Sequence, residues 1–209
     1  MTNISGKERR RAQVLAVVEA SIRESGDVSF SMKELAEKAE VSFATPFNLF
    51  GKKEDILAAL LNSRIVEQAQ LTTERTHHES GFEALLHVAS DSCAGYTSDA
   101  ELFKPLLQSM RPRITERNRS MEMSATEIWK SALLVCADDK TIKKSTDIDA
   151  LARRLHLGFR TIVSMWASEA LNDEEFQEQA LLYVIACLLT AVTPKGRGQI
   201  NRLDTAQPL

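Results

Sequence analysis

The densest group of side chains with binding chemistry lies between Val41 and Leu57, in the run VSFATPFNLFGKKEDIL. Three phenylalanines crowd into eight residues, a proline stands among them, and two lysines follow immediately. A proline inside a helix removes an amide donor and clashes with the preceding turn. Two lysines just before a helix start oppose the helix dipole, although they could pair with a phosphate. The proline and the two lysines would therefore destabilise a helix whose role is purely structural.

Other groups of reactive residues carry less. His77, His78 and Glu79 are adjacent in the sequence, and His87 follows alone. Neighbouring histidines point in different directions on a helix, and no spaced second pair accompanies them, so we expect no metal site. The chain contains no nucleophile elbow, phosphate loop or paired carboxylates. We therefore expect no cofactor, and we expect that the protein is not an enzyme.

Composition favours an all-α protein. The 209 residues are 44% hydrophobic and 26% charged, with only eight glycines and five prolines. Alanine, leucine, glutamate, lysine and arginine recur at helical spacing, and alternating Val/Ile runs are rare. The net charge of −3 does not by itself favour a nucleic-acid partner. Any such partner must be argued from the positions of the charges, not from their sum.

The location of the protein is expected to be cytoplasmic. The N-terminal residues MTNISGKERRRAQ have no apolar segment after the charges, so they do not resemble a secretory leader. The longest apolar run, residues 180–192, is shorter than the ~20 residues that span a bilayer, so we expect no membrane partner. Three widely spaced cysteines fit buried thiols in a reducing compartment.

Local signals predict a helix-turn-helix near the N-terminus. A first helix from Lys7 should end at Gly26, because glycine commonly follows a helix end. Ser31 and Glu34 form a capping box that begins a short second helix. Ser42 is expected to cap a third helix, which places Pro46 in the first turn, where the missing amide costs little. Two short helices joined by three or four residues make this motif.

Longer amphipathic patterns follow, and they divide the chain into three parts. A fourth helix begins at Glu54, and another long helix is expected to start around Pro112. We predict a helix-turn-helix domain at 1–53, a helical domain at 54–193 and a disordered tail at 194–209. The tail is predicted from its polar composition and two glycines.

Residues 11–57 resemble, without a gap, the DNA-binding domain of the TetR family of bacterial transcription regulators. The resemblance is carried by the following residues: Arg11, Val14-Leu15, Ile22, Gly26, Ser31, Leu35-Ala36, Ala39, Val41-Ser42, Thr45, Phe47, Phe50, Lys53-Glu54 and Ile56-Leu57. Glu40 stands where the family usually has glycine. If its φ is positive, that residue costs about 1 kcal/mol.

The resemblance implies a double-stranded DNA operator as partner and a third helix that reads it. The expected DNA-binding residues are Ser31, Ser42, Phe43, Ala44, Thr45, Phe47, Asn48, Lys52, Lys53, Arg10 and Arg11. Phe43 could pack on a thymine methyl group and Asn48 could contact adenine, whereas the lysines would contact phosphates. Three alternatives stay open: Phe43 as a core residue, Phe47 as a core ring or a sugar contact, and Lys7–Arg11 as a solvated charged end.

The same resemblance implies a homodimer and a small-molecule effector. The expected dimer interface consists of Leu155, Phe159, Ile162, Trp166, Leu181, Ile185, Leu188 and Leu189, although these residues could instead form an intramolecular core. The expected ligand-binding residues are His87, Tyr96, Phe103, Leu106, Leu107, Met110, Met121, Trp129 and Met165. An apolar or amphipathic ligand suits such a set.

The sequence thus predicts a DNA-binding transcriptional regulator, in the form of a repressor that a ligand releases from a near-palindromic operator. Two alternatives remain. One is a DNA-binding protein of the same fold that answers to a protein partner or to no ligand. The other is a helical adaptor or enzyme that has lost DNA binding.

Overall fold

The computed structural model of the protein describes residues 5–76, 81–110 and 116–206, with side chains described for 5–67, 81–110 and 123–201. The all-α prediction is confirmed, because helices account for these ranges and the one strand-like pairing in them is a bridge between Ile142 and Val192. The helices are α1 (Gly6–Ser25), α2 (Met32–Lys38), α3 (Ala44–Phe50), α4 (Lys53–Thr76), α5 (Gly81–Ser98), α6 (Ala100–Ser109), α7 (Glu116–Asp138), α8 (Ile148–Ala167), α9 (Asp173–Leu188) and α10 (Pro194–Ala206).

The chain divides into two compact units. The first comprises Met1–Ile65 and Asp99–Arg119, and the second comprises Val66–Ser98 and Ser120–Leu209. These units do not coincide with the expected domains, since α4 is divided after Ile65 and α6 joins the N-terminal helices. The reason is packing that the sequence spacing does not reveal: Leu102 and Leu106 of α6 are buried in the same apolar cluster as the inner faces of α1, α2 and α4.

The first unit has a core of aliphatic side chains. Four of them come from the periodic faces of α1 and α2: Val14, Val18, Ile22 and Leu35. Gly26 ends α1 with φ of 72°, and its amide donates to the Ile22 carbonyl, as predicted for a glycine just past a helix end.

The second unit has an aromatic core. Trp166 stacks on Phe176 with ring centroids 5.2 Å apart, and Phe159 meets Trp129 edge to face at 5.5 Å. The Trp166 indole N–H donates to Asp173 Oδ1 at 2.7 Å, which satisfies the polar atom of this buried ring. Leu155, Phe159, Trp166 and Leu188 of the expected dimer face are buried within one protomer, which fits the alternative of an intramolecular core for these four.

Residues 194–206 of the predicted disordered tail instead form α10. Pro194 occupies the first helical position, where its fixed φ suits a helix and its missing amide has no partner to lose. The Thr193 hydroxyl accepts the Gly196 amide at 3.3 Å, and Ile200 is buried. The polar composition of this segment therefore did not indicate that it forms a capped helix. Across the described residues, every helix is too short or too polar to span a bilayer.

Candidate nucleic-acid interface

The predicted capping box opens the helix-turn-helix. The Ser31 hydroxyl accepts the Glu34 amide at 3.1 Å, and Glu34 Oε2 accepts the Ser31 amide at 2.7 Å. Two hydrogen bonds hold the pKa of the Glu34 carboxyl group below its usual value. The larger effect comes from the Ser31 amide and the smaller from the Ser31 hydroxyl. Ser31 thus has a structural role as the cap of α2. Because Ser31 is also exposed, a contact between Ser31 and DNA remains a prediction.

The turn between α2 and α3 contains a left-handed residue. Glu40 has φ of 50°, its amide donates to the Glu37 carbonyl at 3.1 Å, and the Val41 amide donates to the Ala36 carbonyl at 3.0 Å. This pair of bonds is the Schellman motif, which usually places glycine at the left-handed position. Gln13 of α1 donates to the Ala39 carbonyl at 2.8 Å, so α1 also holds the turn.

The start of α3 differs in part from expectation. Ser42 was expected to cap a backbone amide, but the described contacts instead join its hydroxyl to the Thr45 hydroxyl at 2.8 Å. The Thr45 amide donates to the Ser42 carbonyl at 2.9 Å, which makes the first turn tight. Pro46 is the third helical residue and is buried, as predicted for a proline in the first turn.

The inner side of α3 is held by contacts that sequence reasoning did not assign. The Arg11 guanidinium donates to the Leu49 carbonyl and lies over the Phe50 ring, 4.2 Å from its centroid. Leu49 and Phe50 pack against the core of the first unit. Arg11 therefore donates hydrogen bonds to the last turn of α3. Arg10, next to it on α1, is exposed and remains a predicted phosphate contact.

The outer side of α3 presents two aromatic rings. Phe43 is 58% exposed and Phe47 is 41% exposed. The rings meet edge to face with centroids 5.4 Å apart. The exposure of Phe43 is as predicted, and that of Phe47 excludes the core alternative. Ala44 and Asn48 are exposed beside them, so the predicted reading residues share one solvent-facing side.

Lys52, just before α4, and Lys53, the first residue of α4, have different surroundings. Lys53 Nζ donates to the Phe30 carbonyl at 2.6 Å and lies 4.3 Å from the centroid of the Phe30 ring. Partial burial lowers the pKa of Lys53, and the charges of neighbouring carboxylates oppose this shift. Lys52 is exposed, and its amide donates to Asp55 Oδ2 at 2.8 Å. Both ammonium groups keep donors for a phosphate, which remains a prediction.

Two features near the motif were missed. A groove of about 370 Å³ runs between α2 and the start of α3, lined by Lys33, Ala36, Glu37, Val41 and Phe43. Its one lining cation, Lys33, lies two residues after the capping serine, and this position in the sequence could have indicated the groove. The second feature is a network of ion pairs between α1, α4 and the residue that precedes α6. The Arg23 guanidinium donates to both carboxylate oxygens of Asp99 at 2.6 Å. The Glu19 carboxylate pairs with Arg23 at 2.8 Å and also with Arg64.

The predicted ligand residues fall in different units. Leu106 belongs to the core of the first unit, which corrects its assignment to a pocket. Phe103, Leu107 and Met110 lie in the same unit. In the second unit, Tyr96 lies 6.2 Å from Trp166 between ring centroids.

The other predicted ligand-binding residues lie on different helices of the second unit. His87 is half-buried on α5, Trp129 is buried on α7, and Met165 is 43% exposed on α8. The side chain of Met121 lies outside the described residues, as do His77, His78 and Glu79. Among the described residues, no three His, Cys, Asp or Glu side chains are grouped so as to hold a metal ion.

The described residues thus form a two-part helical protein, in which a helix-turn-helix with one buried and one exposed side is followed along the chain by a larger helical unit. FadR from Thermus thermophilus, a TetR-family repressor solved with lauroyl-CoA, matches with a TM-score of 0.72 at 17% identity, covering 88% of this chain and 97% of that one. FadR from Bacillus subtilis, solved with stearoyl-CoA, matches at 0.66 and 18% identity, covering 85% and 97%.

SmeT, the repressor of a multidrug efflux pump of Stenotrophomonas maltophilia, matches with a TM-score of 0.63 at 19% identity, covering 88% of this chain and 91% of that one. No protein-family model and no curated protein sequence matches the chain. The chain therefore has the fold of the TetR-family transcriptional regulators.

Proposed function

We propose that this protein is a sequence-specific DNA-binding transcription regulator that represses from a near-palindromic operator and is released by a small amphipathic ligand. The observation that carries the proposal is the position of α3. Contacts from α1 and the core hold its inner side, and its outer side exposes aromatic, amide and hydroxyl groups. A rigid short helix with such a side, directly after a tight turn, suits insertion into the major groove.

Phosphate contacts would anchor the motif. Arg10, Lys52 and Lys53 supply cations at the start of α1 and α4, although basic and acidic residues balance over residues 1–55. Phosphate contacts set affinity and salt dependence but carry no sequence information. Reading of the bases is therefore assigned to α3.

A homodimer would place two α3 helices over successive major grooves, roughly 34–36 Å apart. Helix α8 exposes Leu157, Thr161 and Met165 at every fourth position, and the first and last of these are apolar. Along α9 and its C-terminal cap, the partly exposed apolar residues Leu181, Ile185 and Leu189 recur at the same spacing. We propose that these two stripes pair with their copies in a two-fold dimer. Four residues of the interface expected from the sequence are at least partly exposed and belong to this proposal: Ile162, Leu181, Ile185 and Leu189.

The dimer is tested by replacing one exposed residue with a charge. Met165→Glu should convert the dimer to monomer in sedimentation-velocity ultracentrifugation, because a carboxylate would be buried without a partner. Met123→Glu on α7 is the matched control, since Met123 is 65% exposed and lies outside both stripes. Equal dimerisation of both variants would contradict the proposed face.

The ligand is proposed to be amphipathic. Two of the similar structures contain long-chain acyl-CoA molecules, which have an apolar tail and a charged head. Tyr96, Trp129 and His87 are the candidates in the second unit. Because α4 runs from one unit into the other, it would carry the shift that misplaces α3. Binding free energies are reciprocal, so DNA must weaken ligand binding by the factor by which ligand weakens DNA binding.

DNA binding is tested by selecting duplexes from a random pool and measuring fluorescence anisotropy on the selected and a shuffled duplex. We expect a near-palindromic site, a preference of about 10³-fold or more, and steep loss of affinity between ~50 and ~200 mM salt. An intact dimer that binds no DNA at low salt would favour the adaptor alternative. Lauroyl-CoA is the first ligand probe, and equal binding of it to free protein and DNA complex would contradict the linkage.

A further inference from the structure

The sequence of α3 and its flanks carries no charge. From Val41 to Gly51 there is no aspartate, glutamate, lysine or arginine. In the major groove, guanine is read mainly by arginine or lysine on O6 and N7, and cytosine by a carboxylate that accepts from N4. Helix α3 offers neither group. Its chemistry is therefore limited to apolar contact, one amide and short hydroxyls.

The apolar contact has a defined position. Phe43 and Phe47 lie one turn apart, both are exposed, and their rings meet edge to face with centroids 5.4 Å apart. Adjoining exposed apolar side chains are typical of surfaces that a partner covers. On a base edge, the apolar feature available to them is the C5-methyl group of thymine.

The amide adjoins the ring pair. Ala44 and Asn48 form a second exposed row one residue along from Phe43 and Phe47. Ala44 is small enough to let the helix approach the groove floor. An asparagine amide is the bidentate partner of adenine N6 and N7, and adenine pairs with the thymine that carries the methyl group.

We propose that α3 is specific for A·T base pairs, with the Phe43–Phe47 ring pair packed on thymine methyl groups and Asn48 bonded to adenine. This inference rests on the proposed function and adds which bases the helix selects. Any guanine in the half-site would be read from outside α3, and one candidate is Lys33, which lines the adjoining groove together with Phe43.

The test replaces thymine with deoxyuridine at each thymine of the selected duplex, in both half-sites at once, because this change removes only the methyl group. We expect about fourfold weaker binding for each methyl group that the rings bury, and so about sixteenfold for a symmetric pair. The Phe43→Ala and Phe47→Ala variants should bind the thymine and uracil duplexes equally. The Met123→Ala variant should discriminate as the unmodified protein does.

Each outcome gives a decision. Circular dichroism melts establish that the variants are folded, and the exposure of both rings means that no cavity is created. Loss of methyl discrimination in the two phenylalanine variants alone supports the proposal. Sequence-specific binding that ignores every uracil, or a half-site centre of G·C pairs, overturns it and leaves the proposed function standing. Failure of the selection to enrich any sequence overturns both.

Discussion

Glu40 provides a test of how the helix-turn-helix is stabilised. It occupies the left-handed position of the Schellman motif at the end of α2, with φ of 50°. The Cβ atom of an L-residue costs roughly 1–2 kcal/mol in this conformation. Glycine would remove that cost, so Glu40→Gly should stabilise the protein.

The net gain is smaller than the strain. Glycine loses more conformational freedom on folding than other residues, by roughly 0.5–1 kcal/mol relative to alanine. The difference leaves about 0.5–1 kcal/mol in favour of Glu40→Gly. For a chain of 209 residues this corresponds to a rise in Tm of about 1–4 °C.

Urea denaturation followed by circular dichroism measures the change, with Tm as a second readout. Glu40→Ala is the matched control, because it removes the same carboxylate but keeps the Cβ atom and its strain. Lys140→Gly repeats the experiment in the second unit, since Lys140 has φ of 58° and closes α7 with the same pair of hydrogen bonds. Both glycine variants should gain stability, and Glu40→Ala should not.

Unfolding of Glu40→Gly and Glu40→Ala at the same urea concentration would exclude backbone strain at Glu40 as a source of instability. That result would assign any change to the lost charge or side chain. A stabilised Lys140→Gly beside an unchanged Glu40→Gly would mean that the turn of the helix-turn-helix is relaxed by other contacts, of which the Gln13 bond to Ala39 is the first candidate.

Three further variants test separate contacts. Burial opposes ionisation of Glu19, but its two arginine partners outweigh that effect and lower the pKa of its carboxyl group. The stability that this carboxylate contributes is therefore present above pH 4.5 and is lost as the pH falls through the lowered pKa. Glu19→Gln should flatten this pH dependence of the free energy of unfolding, measured by urea denaturation at about pH 3–5. Arg11→Ala should cost about 1–2 kcal/mol of stability without changing the salt slope of DNA binding, whereas Arg10→Ala should reduce that slope by about one. Gly158→Ala should cost about 1–3 kcal/mol in chemical denaturation, because the new Cβ would lie 2.0 Å from a ring atom of Tyr183, and the cost should shrink in a Tyr183→Ala background.

Local signals in the sequence predicted local structure. The Ser31–Glu34 box, the Gly26 stop and the place of Pro46 each depend on residues within four positions, so their geometry follows from the chain itself. The resemblance to a known domain supplied the register that joined these signals.

Long-range partners were not predictable. Arg11 was expected to contact DNA, yet it binds a carbonyl 38 residues away, and Lys53 binds one 23 residues away. A basic side chain gives no sequence signal that separates a phosphate from a distant carbonyl, since both are acceptors. The same limit applies to Leu106, whose helix packs with α1 although about 80 residues separate them.

The stability of α3 has to come from outside it. A helix of seven residues is far below the roughly 12–15 residues that are marginally stable alone, so its inner contacts determine whether it exists. Pro46, Phe50 and the Arg11 bond supply those contacts, and none of them faces outward. The outer residues are thereby released from stabilising the fold. Substitutions at Phe43 or Asn48 should change which DNA is bound and leave unfolding unchanged, whereas substitutions on the inner side should weaken binding to every DNA sequence together with stability.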